Sequence, residues 1–88
     1  MTTAEVIQRM RQYITDNFLY ARPGFELTDE TSLLESGVID SMGIIEVVQF
    51  IETELGCPVG DDDITEENLD SLAAIGRFVS ARRAAIAA

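Results

Sequence analysis

The sequence predicts an all-α fold of three main helices, one short helix and a long first loop, in a single domain over residues 1–88. Three observations carry that prediction. Apolar residues recur at the i, i+3, i+4, i+7 spacing of core-facing helices in separate segments. No run alternates apolar and polar residues as a half-buried strand does, and no repeat or low-complexity tract appears. The ends of the periodic segments carry capping residues, and Gly56 supplies a natural stop.

Residues 3–18 read as the first helix. Thr2 or Thr3 can cap it, and Thr2 with Glu5 fits a capping box, in which hydroxyl and carboxylate each take the other's backbone amide. Its apolar stripe is Ile7, Met10, Ile14 and Phe18, with Val6 and Tyr13 at the edges. Leu19 to Ile39 keeps no sustained period, and Pro23-Gly24 is a strong turn signal. A loop this long needs apolar anchors. Phe25, Leu27, Leu33 and Leu34 are the candidates, and Thr31 to Gly37 reads as a capped helical turn that delivers Val38 and Ile39 to the core.

The second helix opens at Asp40, whose carboxylate suits an N-cap, and stops at Gly56. Ile44, Val47, Val48, Ile51 and Leu55 form its inner stripe. Met42, Ile45 and Gln49 point the other way, flanked by Glu46, Glu52 and Thr53. After a polar loop from Pro58 to Asp63, anchored by Val59, Thr65 caps one short turn over Ile64 to Leu69. Asp70 is expected to cap the last helix, where Leu72, Ile75, Val79 and Ile86 keep helical spacing. Arg82 and Arg83 near its end complement the negative pole of the helix, and Ala73, Ala74 and Gly76 leave room for a pliable fourth helix.

Composition narrows the chemistry. There is no histidine and one cysteine, Cys57, so the usual Ser/His or Cys/His activation of a nucleophile is missing, and independent catalysis is not expected. No catalytic residue is therefore assigned. Cys57 reads as a small buried hydrophobe. The acidic run Asp61-Asp62-Asp63 with Glu66 and Glu67 does not make a calcium loop, because an EF-hand starting at Asp61 wants glycine where Glu66 stands and glutamate where Leu72 stands. No metal is expected. No apolar run approaches the roughly twenty residues of a membrane span, and the first residues lack the basic and apolar regions of a signal peptide, so a cytoplasmic location is expected.

The formal charge of −10 is segregated. Fourteen acidic residues lie between Glu26 and Asp70 with no arginine or lysine among them, while all six arginines (Arg9, Arg11, Arg22, Arg77, Arg82 and Arg83) lie outside. Such a field repels nucleic acid and anionic membranes and steers basic partner proteins.

Ser41 stands at the start of the second helix, where free amides and the positive end of the dipole favour an anion. A phosphate ester there would be well placed. Asp40-Ser41-Met42 opening an acidic, Val/Ile-rich helix resembles the Asp-Ser-Leu attachment site of acyl and peptidyl carrier proteins. Further pieces match that family in order: a first helix ending near Phe18-Leu19, the stretches 29–34 and 37–42, 51–56 ending in Leu55-Gly56, and 63–72. Together they span essentially the whole chain.

The resemblance implies the carrier-protein four-helix bundle and a 4′-phosphopantetheine arm on Ser41, joined by a phosphodiester and ending in a thiol that holds cargo as a thioester. It implies a non-catalytic, monomeric carrier served by a phosphopantetheinyl transferase, an acyl- or aminoacyl-activating ligase and downstream biosynthetic enzymes with basic docking patches. By the same resemblance Asp40 helps the transferase place Mg²⁺ and coenzyme A. The docking face would be Asp40, Met42, Ile45, Glu46, Gln49 and Glu52. Housekeeping fatty-acid carriers read Asp-Ser-Leu-Asp-Thr-Val, whereas this chain has Asp40-Ser41-Met42-Gly43-Ile44-Ile45. It is closer to free-standing carriers of fatty-acid-like, polyketide or nonribosomal-peptide-type pathways, and the cargo stays open between acyl and aminoacyl groups. The competing reading is an acidic helical interaction module that docks through Met42 and Ile45 and never bears an arm.

Overall fold

The computed structural model describes residues 1–87, so the last residue of the expected domain lies outside the described residues. Four α-helices follow in order: α1 (Thr3–Phe18), α2 (Gly43–Glu54), α3 (Glu66–Leu69) and α4 (Leu72–Ala87), with a 3₁₀ turn at Asp61–Asp63. The described residues contain no strand, and the architecture is the helical bundle expected of a carrier protein.

The capping box at the head of α1 is present. The Thr2 hydroxyl accepts from the Glu5 amide at 3.1 Å and the Glu5 carboxylate accepts from the Thr2 amide at 2.9 Å. The bond from the Thr2 amide, with the Thr2 hydroxyl beside the carboxylate, holds the Glu5 carboxyl below its ordinary pKa. The buried line of α1 is Val6, Met10 and Ile14, spaced by four, while Ile7, Tyr13 and Phe18 are half-buried. Met10 and Ile14 hold the places expected of them, while at the ends of the stripe Val6, expected at the edge, is buried and Ile7 and Phe18 are only half-buried. The neighbours decide it: Ile7 is turned to α4 at Gly76, and Phe18 to Gly43 at the head of α2.

α1 and α4 run antiparallel, with Thr3 donating from its hydroxyl to that of Ser80 at 2.8 Å. A Cβ on Gly76 would stand 2.8 Å from Ile7 Cγ1 and 3.1 Å from Thr3 Cγ2. The small residues of α4 therefore permit close helix approach and leave no slack there, contrary to the expectation of a roomy, pliable helix. Leu72, Ile75 and Val79 are buried, but Ile86 is 59% exposed because α4 overhangs the start of α1 by more than a turn.

The long first loop is held from both sides. Leu19, Leu33, Val38 and Ile39 are buried, Phe25 and Leu27 pack on the core, and Leu34 is half-buried. The Arg11 guanidinium binds the Leu27 carbonyl and the Asp29 carboxylate. Ser32 caps the expected turn, its hydroxyl accepting from the Glu35 amide at 3.1 Å, and Gly37 ends it at a φ of 76°. Asp70 does not cap α4. Its carboxylate accepts from the Ser32 hydroxyl at 2.6 Å and the Leu34 amide at 2.9 Å, and its carbonyl accepts from the Leu33 amide at 2.7 Å. The neighbouring Ser71 takes the capping role, accepting from the Ala74 amide at 3.0 Å.

Arg82 and Arg83 also serve a different helix from the one that carries them. Arg83 donates to the Leu55 carbonyl at the end of α2, and Arg82 pairs with Asp63 at 3.0 Å and donates to the Pro58 carbonyl at 3.3 Å. Arg83 thus satisfies a carbonyl where α2 runs out, and Arg82 ties down the loop that follows.

Candidate functional site

The site grows from the turn that connects the first loop to α2. Val38 and Ile39 are buried, which fixes the chain just before Asp40. Asp40 then caps the helix: its carboxylate accepts from the Gly43 amide at 2.8 Å and its carbonyl accepts from the Ile44 amide at 3.2 Å. Regular α2 geometry begins at Gly43, although Met42 already has helical φ and ψ of −76° and −37°. Ser41 and Met42 thus form the first turn, and both are exposed.

Among the described residues the Ser41 hydroxyl makes no hydrogen bond, and the Ser41 and Met42 amides have no acceptor. An exposed alcohol beside free amides is open to an anionic ester. One oxygen of the neighbouring Asp40 carboxylate is engaged with the Gly43 amide, and the chain has no histidine.

The outer surface of α2 follows the expected division. Met42 and Ile45 are 72% and 57% exposed, and Glu46, Gln49 and Glu52 are exposed, while Val47, Ile51 and Leu55 are buried. Ile44 and Val48 are half-buried at the edges of the inner stripe. The carboxylates are not equivalent. One Glu52 oxygen accepts from the Val59 amide at 3.2 Å, whereas the Glu46 carboxylate accepts no hydrogen bond among the described residues.

Four residues that sequence reasoning left out of the site, Gly43, Phe18, Tyr13 and Phe50, belong to this neighbourhood. A Cβ on Gly43 would stand 2.9 Å from Ile39 Cγ2 and 3.1 Å from the Phe18 ring, so the turn lies directly on α1. Tyr13 stacks on Phe50 at 4.1 Å between ring centroids, stands edge-on to Phe18 at 5.9 Å, and donates to the Glu46 carbonyl at 3.3 Å. Burial, with the Glu46 charge adding to it, pushes the Tyr13 phenol up from its ordinary pKa. Gly43 was the legible signal. A glycine one turn into a helix costs about 1 kcal/mol against alanine, so its presence marks a close approach.

A shallow groove of about 460 Å³ beside Ser41 is lined by Phe18, Val38, Asp40, Met42, Gly43 and Ile45, among others. On the opposite side of α2 a smaller cleft of about 140 Å³ is bounded by Leu34, Ile44, Ile64 and Leu69. Cys57 is fully buried away from both, and burial raises its thiol pKa against the opposing pull of Arg82 and Arg83. It is an inert core thiol. Asp63 is occupied by Arg82 and the Gly60 amide, and no three His, Cys, Asp or Glu side chains among the described residues gather as metal ligands. No described helix is long and apolar enough to cross a membrane.

Comparison with known proteins adds one finding. A protein-family model described as the phosphopantetheine attachment site matches residues 18–79, more than two thirds of the chain. A comparison with curated proteins finds no match.

Proposed function

We propose that Ser41 is the attachment point in this chain, which belongs to the phosphopantetheine attachment-site family, whose domains carry a covalently attached 4′-phosphopantetheine arm. The single observation that carries the assignment is the exposed Ser41 hydroxyl on the first turn of α2, with unpaired amides beside it, inside the matched region. The arm supplies a terminal thiol on which cargo rides as a thioester. The chain's own part is presentation. Asp40 holds the turn by capping Gly43, buried Val38 and Ile39 anchor the approach, and the amino pole of α2 favours the phosphodiester charge.

In this reading the chain, taken as one carrier domain over residues 1–88, is a monomeric, non-catalytic cytoplasmic carrier. It passes an acyl or aminoacyl group between enzymes of a specialised biosynthetic pathway of fatty-acid-like, polyketide or nonribosomal-peptide type. Its partners are a phosphopantetheinyl transferase, an activating ligase and downstream enzymes with basic docking patches, met through Asp40, Met42, Ile45, Glu46, Gln49 and Glu52. Exposed ion pairs contribute only about 0.2–1 kcal/mol each, which lets a carrier leave each partner quickly.

Incubation with a broad-specificity phosphopantetheinyl transferase and coenzyme A is expected to add one phosphopantetheinyl group to the intact mass, and Ser41→Ala is expected to add none. An unchanged mass for the parent chain, under conditions that modify a control carrier, would reject the assignment.

A further inference from the structure

The Asp40 cap fixes the attachment turn relative to α2, but a local cap cannot fix it relative to the rest of the bundle. Contacts from α1 do that. Phe18 continues the buried line Val6, Met10 and Ile14 by another four residues, yet it is only half-buried, because its ring meets the head of α2. A Cβ on Gly43 would stand 3.1 Å from Phe18 Cε1 and 2.9 Å from Ile39 Cγ2, so the Gly43 backbone is gripped between the end of α1 and the chain that leads into the turn.

One helical turn on, the Tyr13 hydroxyl donates to the Glu46 carbonyl at 3.3 Å while its ring stacks on Phe50. Gly43, Glu46 and Phe50 are spaced by three and four and make one line along α2. The edge-on contact of Tyr13 with Phe18 joins the α1 side of that line. Ser41 lies two residues before Gly43, and its side chain makes no hydrogen bond of its own among the described residues, so its oxygen goes where the turn is held.

We propose that Phe18, through Gly43, and Tyr13, through the Glu46 carbonyl, are positioning residues for arm transfer: they fix the direction in which the attachment turn presents the Ser41 hydroxyl. The proposal deepens the reading of Ser41 as the attachment point and rests on it. In that transfer the Ser41 oxygen bonds to the phosphorus bearing pantetheine and the pyrophosphate bond of coenzyme A breaks. Adenosine bisphosphate leaves with the electron pair, and the hydroxyl proton is released. A displacement of about 1 Å in such a step costs about a hundredfold in rate. A turn released from α1 therefore still binds the transferase but reacts slowly.

The test is the single-turnover rate of transfer from fluorescent coenzyme A by a broad-specificity transferase in excess, which separates the maximal rate from the half-saturating concentration. Each variant's fold is checked by circular dichroism and its stability by urea denaturation. Phe18→Ala is expected to lower the maximal rate roughly tenfold and to leave half-saturation within about twofold of the parent chain. Phe18→Met, whose pliable side chain fills the space of the lost ring edge, is expected to restore the rate to within about threefold. Val79→Ala, in the buried line of α4, also lowers stability but leaves the turn alone, and its maximal rate is expected to stay within about twofold. Tyr13→Phe keeps the stack, loses only the bond to Glu46 and is expected to slow transfer about threefold.

Phe18→Ala at the parent's maximal rate would overturn the proposal, as would a loss confined to half-saturation or an equal loss in Val79→Ala. If Phe18→Ala does not fold, Tyr13→Phe decides alone, and the parent rate there overturns the proposal. Failure of the attachment reading looks different: the parent chain itself takes up no label, and Ser41→Ala matches it.

Discussion

Gly43 shows how much one missing side chain decides. Its φ is not positive, so alanine can adopt the backbone, and alanine is worth up to about 1 kcal/mol more than glycine within a helix. Against that gain stands a Cβ 2.9 Å from a methyl of Ile39, a β-branched residue that is buried and stiff. Overpacking of a tight site costs about 1–3 kcal/mol, so the clash wins. Gly43→Ala is expected to lower stability by about 1 kcal/mol in urea denaturation. A variant as stable as the parent would mean that the turn has slack. Ser41 and Asp40 were legible because capping chemistry is local, whereas Phe18 and Tyr13 were not, because their contact with α2 joins residues some thirty positions apart.

Among the elements, the first loop poses the largest problem, since more than twenty residues without regular structure must be held still. Asp70 does much of this. It gathers the Ser32 hydroxyl and the Leu34 amide on one half-buried carboxylate, and hydrogen bonds to a charged group contribute about 1.5–3 kcal/mol. Asp70→Ala is therefore expected to cost about 2–3 kcal/mol by urea denaturation, against about 1 kcal/mol for loss of the Ser71 cap in Ser71→Ala. Equal costs would return Asp70 to a local role. Sequence reasoning placed the cap one residue early because Asp and Ser are equally good caps, and only the approach of the loop assigned each its partner. Arg82 and Arg83 follow the same rule. Cations near the end of α4 suit its own dipole, yet their length lets Arg83 reach the Leu55 carbonyl at the end of α2 and Arg82 the Pro58 carbonyl in the loop beyond it.

For the whole molecule the dominant quantity is the field. The described ion pairs, Arg11 with Asp29 and Arg82 with Asp63, do not involve the acids around the Ser41 turn, which keep their charge unneutralised. Steering by such a field raises association rates by 10-fold or more at low salt and fades as the Debye length falls from about 30 Å at 0.01 M to about 8 Å at 0.15 M. Stopped-flow association with the transferase is expected to slow by roughly tenfold over that range, with a much smaller change in the off-rate. An on-rate indifferent to salt would remove steering from the account.

The sequence by itself determined the helices, their caps at Thr2, Asp40 and Thr65, the inner and outer faces of α2, the acidic field and the place of Ser41. Each of these depends on residues within a turn or two of one another, or on composition alone. Only the tertiary structure decided which position of α1 faces the core, that Asp70 clasps the loop, that Arg83 finishes α2, and that Gly43 and Gly76 are points of contact between helices. Those outcomes depend on which surfaces meet, and helical periodicity specifies a face without naming what will be packed against it.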